Sequence, residues 1–226
     1  SVLSNRSINN LPSGSGSDLV TTSMVFFTQN GAPNNGGLGL SMASCTFENP
    51  CGPTDFSQTG VNTLNSLLPN TLMFFNGGTY NALDATGSNP ITLNSGQGVN
   101  ARTADYSQAA TGSGRSVFNG AFILNTNNTL ANIILLPTAA TASGTGVTDN
   151  NGTNDFIRGS QIGNINNLYN VGGVISTNQL TITNSVIFGN NRGIRADNGS
   201  VLFIQGSQIN TVSPSGGTTG ISASNS

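Results

Sequence analysis

One short phrase, written three times, constrains this chain more than any other feature. It reads Ile157-Arg158-Gly159-Ser160-Gln161-Ile162, then Ile182-Thr183-Asn184-Ser185-Val186-Ile187, then Ile204-Gln205-Gly206-Ser207-Gln208-Ile209. Leu130–Leu135, "LANIIL", fits as an earlier copy upstream of Ile157. A second phrase, Gly followed by Val or Ile and shortly by Asn, starts at Gly146, Gly173, Gly193 and Gly220, the middle step being shorter than the two around it. Self-similarity at a period of roughly two dozen residues marks a solenoid. The leucine-rich-repeat skeleton is absent, and helical repeats are longer and would not tolerate this much Gly and β-branched sequence.

In an uninterrupted strand, residues five apart face opposite sides of the sheet. The two apolar ends of each phrase can therefore share one core only if the backbone bends between them. The third position supplies the bend: Asn132, Gly159, Asn184 and Gly206. Gly and Asn are the residues that most readily enter the left-handed αL region. Strand, single-residue bend, strand and a loop of variable length describe one coil of an all-β parallel β-helix, with coils about 4.8 Å apart. Asn150, Asn178, Asn198 and Asn225, which follow the second phrase, are expected to stack as a ladder of amides. The unequal steps place the length variation in loops, "NTVSPSGGTTG" (210–220) being one insertion.

Composition agrees. Only 6% of the 226 residues are charged, with 34 Asn, 30 Gly, no His and no Lys. Such polarity would suit disorder, but "SMVFF", "TLMFF", "GAFIL" and "NIILL" are short, β-rich and regularly spaced. The net charge is −2 and the six basic residues, all Arg, are scattered. Nucleic-acid binding needs a clustered basic face. No apolar stretch approaches the roughly 18 residues of a membrane helix, so membrane attachment is expected only through parts of the protein outside this sequence. Cys45 and Cys51 cannot complete a four-ligand metal site without His or further Cys. They are buried free thiols or a local disulfide, and the Asn49-Pro50 turn favours the disulfide and with it an oxidising compartment.

Residues 1–20 read as a linker or irregular segment, 21–80 as the entry or cap of the solenoid, and 81–226 as its coils. Val61, Leu64, Leu67 and Leu68 share one face of a short helix over 59–68 that ends before Pro69. The arrangement helix, Pro-Asn, apolar strand, "GGTY" in "VNTLNSLLPNTLMFFNGGTY" (61–80) resembles the N-terminal entry of pectin-lyase-like right-handed parallel β-helices. The whole, over roughly 21–226, resembles passenger domains of Gram-negative autotransporter-type surface proteins. That family includes polysaccharide lyases and hydrolases as well as non-catalytic adhesins. The chain stops at "GISASNS", partway through a repeat, as a piece of a longer solenoid would.

Without His or Lys, a general base must be a carboxylate, and a Ser-His-Asp triad cannot be built. Asp149 and Asp197 precede equivalent Asn residues but one coil lies between them, about 10 Å, too far to share a calcium whose ligands lie about 2.4 Å away. Asp84 and Asp105, one coil's length apart in sequence, could stack on adjacent coils near a retaining-glycosidase separation, with Arg102 and Tyr106 beside Asp105. Such residues more often hold a loop. The resemblance and this inventory together imply a non-catalytic, cell-surface or secreted bacterial adhesin fragment needing no cofactor. Its partner would be a host surface protein, a glycan or a second copy. A glycan-active enzyme using Asp84, Arg102 and Asp105 is the alternative.

Overall fold

The computed structural model describes residues 23–29, 45–53, 56, 67–84, 86–150, 152–197, 199–212 and 219–224. Its strands form three sheets, every pairing within them parallel. The first sheet runs β1 (Ser23–Phe27), β2 (Thr71–Asn76), β5 (Gly98–Arg102), β8 (Thr129–Ala131), β11 (Asp155–Arg158), β14 (Gln179–Thr183), β17 (Val201–Gln205). The second runs β3 (Gly78–Ala82), β6 (Ser116–Gly120), β9 (Ile134–Leu136), β12 (Gln161–Ile162), β15 (Val186–Gly189), β18 (Gln208–Thr211). The third runs β4 (Ile91–Thr92), β7 (Phe122–Leu124), β10 (Thr145–Asp149), β13 (Gly172–Ser176), β16 (Arg192–Asp197), β19 (Thr219–Ser224). Each coil gives one strand to each sheet in turn, which makes the chain a right-handed parallel β-helix.

The phrases are the inner columns of this helix. Val25, Met73, Val99, Leu130, Ile157, Ile182 and Ile204 stand in register down the first sheet. Tyr80, Phe118, Leu135, Ile162, Ile187 and Ile209 do so down the second. Ile91, Phe122, Val147, Val174, Ile194 and Ile221 complete the third. Every member through Ile194 is buried. Burying each such side chain contributes about 1.5–3 kcal/mol, and stacking makes the contributions contiguous. The early coils fill the same volume with rings: Phe27 lies flat on Phe75 at 4.5 Å, and Phe118 stacks on Tyr80 at 5.5 Å. The glycines before Val147, Val174 and Ile194 let second-sheet isoleucines approach: a Cβ at Gly146, Gly173 or Gly193 would stand 2.8, 2.6 or 2.4 Å from Cγ2 of Ile162, Ile187 or Ile209.

In the four coils from β8 onward the chain turns between first and second sheets through one αL residue, with φ of 59° at Asn132, 58° at Gly159, 48° at Asn184 and 59° at Gly206. Asn and Gly alternate there because the Asn amide occupies space over the next glycine. A Cβ at Gly159 would lie 2.3 Å from Asn132 Oδ1, and one at Gly206 2.4 Å from Asn184 Oδ1. The serine that follows has its own task. Ser185 Oγ donates to Thr183 O (2.8 Å) and accepts the Ser160 N–H (3.2 Å), while Ser207 Oγ donates to Gln205 O (3.0 Å) and accepts the Ser185 N–H (3.1 Å). This hydroxyl ladder satisfies amides that the bend removes from the sheets.

Cys45 and Cys51 form a disulfide with Cα atoms 4.9 Å apart. The loop it closes lies on β1: Phe26 N–H donates to Cys45 O and Cys51 N–H to Phe26 O. An edge strand is thereby covered. Of the helix expected over 59–68, only Leu67 and Leu68 are described; neither is helical, Leu67 is buried and Leu68 exposed. The segment 1–20 and residues Asn198 and Asn225 lie outside the described residues.

Candidate functional site

The three corners of each coil carry different chemistry. Asp84 sits in the turn between β3 and β4, where the chain passes from second to third sheet, and Asp105 in the loop between β5 and β6, from first to second. They occupy different corners and do not stack as a carboxylate pair. Asp84 Oδ1 accepts the N–H groups of Thr86, Ser88 and Asn89, and its Oδ2 accepts Asn89 Nδ2. Hydrogen bonds from Thr86 and Asn89 hold its carboxyl well below the usual range. Asp105 accepts the hydroxyls of Thr103 (2.6 Å) and Ser107 (2.8 Å) and the Ser107 N–H, which hold its pKa at about 2. Arg102 spends its guanidinium on the carbonyls of Tyr106 and Ser107 and lies over the Phe74 ring. Tyr106, with φ of 57°, is buried and donates to Phe27 O at 2.7 Å. Each of the two carboxylates is thus ionised and hydrogen-bonded within its own turn, and they do not converge with Arg102 on one corner.

The corner from third to first sheet holds a ladder of buried polar side chains, not the amide ladder expected of Asn150 and Asn178. Asn150 is exposed, and the register sets Asp149 opposite Ser176, so Asn150 and Asn178 are one place out of step. The rungs are instead Gln97, Asn128 and Asp155, all buried. Asn128 Nδ2 donates to Asn94 O (2.6 Å) and Gln97 O (3.1 Å), and the Asn128 N–H donates to Asp155 Oδ1 (2.7 Å). The supposed equivalence of Asp149 and Asp197 also fails. Ser176 pairs with Ala196, and Asp197, one residue on, pairs with Ser224 and binds Arg195 through its Nε at 2.6 Å.

This corner brings together two carboxyls that the sequence inventory kept apart. Asp149, the last residue of β10, and Asp155, the first of β11, both face the interior and are fully buried. Asp149 Oδ2 accepts the Ser176 hydroxyl (2.8 Å) and its Oδ1 the Gly152 N–H (3.2 Å). Asp155 Oδ2 faces no donor. Both carboxyls are enclosed in the core, away from solvent. Among the described residues, no three His, Cys, Asp or Glu side chains gather as a metal site.

What does face solvent is the outer side of the first sheet. Phe156, Thr181 and Phe203 form one outward column across β11, β14 and β17. Phe156 is 40% exposed, Phe203 58% and Val201 61%. Arg158, Thr183 and Gln205 form the next column. Two strand spacings put the phenylalanines about 10 Å apart. The sequence does carry a signal for this face: Phe156 and Phe203 each directly precede an inner isoleucine and so must point outward.

No family model matches the chain, and no curated protein matches it. A solved structure that does, a pectate lyase (Pel9A), aligns at 16% identity and a TM-score of 0.37, covering 81% of this chain. The chain spans 62% of that enzyme's chain.

Proposed function

We propose that this chain is a non-catalytic contact module, the β-helical part of a bacterial cell-surface or secreted adhesin of passenger type. The outer face of its first sheet meets a glycan on a host or neighbouring cell. The reading rests on the exposed column of Phe156 and Phe203, held at fixed spacing by a register that cannot slip without turning the core outward. Exposed aromatics flanked by Arg158, Thr181 and Gln205 offer ring faces for the apolar side of a sugar and donors for its hydroxyls. The engagement of Asp84 and Asp105 within their own loops supports binding over turnover. A disulfide fits export into an oxidising compartment.

A glycan array, followed by product analysis on each ligand bound, tests this. Binding without cleavage, weakened at least tenfold by Phe156→Ala with Phe203→Ala, is the expected result. Cleavage abolished by Asp105→Asn would replace the adhesin with an enzyme. Binding undiminished by the double variant would move the contact to another face, and silence on the array would favour a protein partner or a second copy.

A further inference from the structure

Asp149, at the end of β10, and Asp155, at the start of β11, bring two carboxyl groups together inside the coil. Asp149 stands in its column between Leu124 of β7 and Ser176 of β13, and Asp155 is opposite Leu180 of β14. Three of their four oxygens accept a protein donor, and Asp155 Oδ2 accepts none. Gly152 seals the site: a Cβ there would lie 2.0 Å from Asp155 Oδ2 and 1.7 Å from Asn125 O. A divalent cation requires six or more oxygens at about 2.0–2.6 Å, for which this closure leaves little room.

No counter-charge replaces it. Among the described residues, β7, β8, β13 and β14, which flank the pair, carry no titratable side chain. Tyr169 packs against Gly146 of β10, but its hydroxyl is committed to Gly120 O at 2.6 Å and burial keeps it neutral. Arg158 is on the outer face of β11, and the Arg195–Asp197 pair belongs to β16, beyond β13. Two buried anions with no cation are strongly unfavourable. A single proton makes one carboxyl a donor to the other and gives Asp155 Oδ2 its missing partner.

We propose that Asp149 and Asp155 share one proton in the core and act as an acid-stabilised latch, whose deprotonation drives the carboxyls apart and loosens the junction of β10 with β11. Burial first, and then the charge of Asp149, raise Asp155 to about 7 against the lowering effect of the Asn128 N–H; burial raises Asp149 as well. With folded values raised, the latch's stabilisation is complete below the ordinary carboxylate value near 4 and is lost as pH rises through about 7. The sequence contains no His, so no side chain with an ordinary pKa titrates between pH 5 and 8 to obscure the effect.

Infrared spectroscopy of the whole chain at about pH 5.5 and about pH 9, on either side of 7, reads the proton directly. A neutral-carboxyl band at the lower pH that vanishes at the higher is expected, and the Asp149→Asn/Asp155→Asn double variant should lack it. The thermal midpoint of the wild type should fall between those pH values, and that of the Asp149→Asn/Asp155→Asn double variant should stay level. Absence of the band at the lower pH overturns the proposal. So does a pH profile shared by wild type and the Asp149→Asn/Asp155→Asn double variant. A midpoint raised by calcium or sodium in the wild type alone would give the site to a cation instead. The wild-type spectrum decides the matter even if a variant fails to fold.

Discussion

Replacing Gly159 by Ala tests the bend that makes this solenoid. Gly159 holds φ of 58°, where an L side chain costs about 1–2 kcal/mol. The added Cβ would also lie 2.3 Å from Asn132 Oδ1 of the preceding coil, so that amide must move. Overpacking of this kind costs about 1–3 kcal/mol, and the lower part of that range, about 1–2, applies here because an amide end can swing aside. The single variant should therefore lose about 2–4 kcal/mol, read from urea unfolding followed by circular dichroism with an unchanged slope. Asn132→Gly removes the obstructing amide while keeping a residue suited to φ of 59°. In that background Gly159→Ala should cost about 1–2 kcal/mol less than it does alone, a coupling that only neighbouring residues show. If Gly159→Ala lies within about 0.5 kcal/mol of wild type, or the two changes are additive, then Asn and Gly do not alternate for the steric reason given, since surface changes alone span that range.

Ser185→Ala should cost about 1–3 kcal/mol in thermal or urea unfolding, because it strands the buried Ser160 N–H. Reduction of Cys45–Cys51 should cost no more than about 2 kcal/mol, since so short a loop restrains little unfolded-chain entropy. Asp105, held at about 2, orders its loop fully above the ordinary carboxylate value near 4 and releases it as pH falls through about 2. The Ser107 amide resonance should follow that titration, and a midpoint near 4 would contradict the hydrogen bonds described.

The inner columns were legible because a parallel β-helix repeats its burial pattern at every coil. The isoleucines of the first phrase fall in the first and second sheets, and the apolar residue of the second phrase in the third. The amide ladder was not legible, because the corner joining third to first sheet changes length. Five residues lie between Asp149 and Asp155 but only three between their register partners Ser176 and Leu180, so an Asn counted from the strand before loses step. Asp84 and Asp105 misled for a related reason: their separation in sequence matches the length of a coil but does not fix the corner on which each residue falls. The Asp149–Asp155 pair lay within reach of strand alternation. Asp149 follows the inner Val147 by two residues and Asp155 precedes the inner Ile157 by two, and a period of two turns both carboxyls inward.

The same geometry accounts for the scarcity of charge. In a parallel stack every side chain has its register partners about 4.8 Å above and below, so a charge repeated from coil to coil meets its like, which is destabilising. Amides and hydroxyls, each both donor and acceptor, can repeat indefinitely. The described columns obey this. Arg158 is followed by Thr183 and Gln205, Arg195 stands between Ile175 and Ser222, and Asp149 lies between Leu124 and Ser176. None places like charges on adjacent strands. Asp149 and Asp155 meet across a turn, where register imposes no such separation. The proton inferred between them resolves, within one coil, the repulsion that the columns avoid by composition.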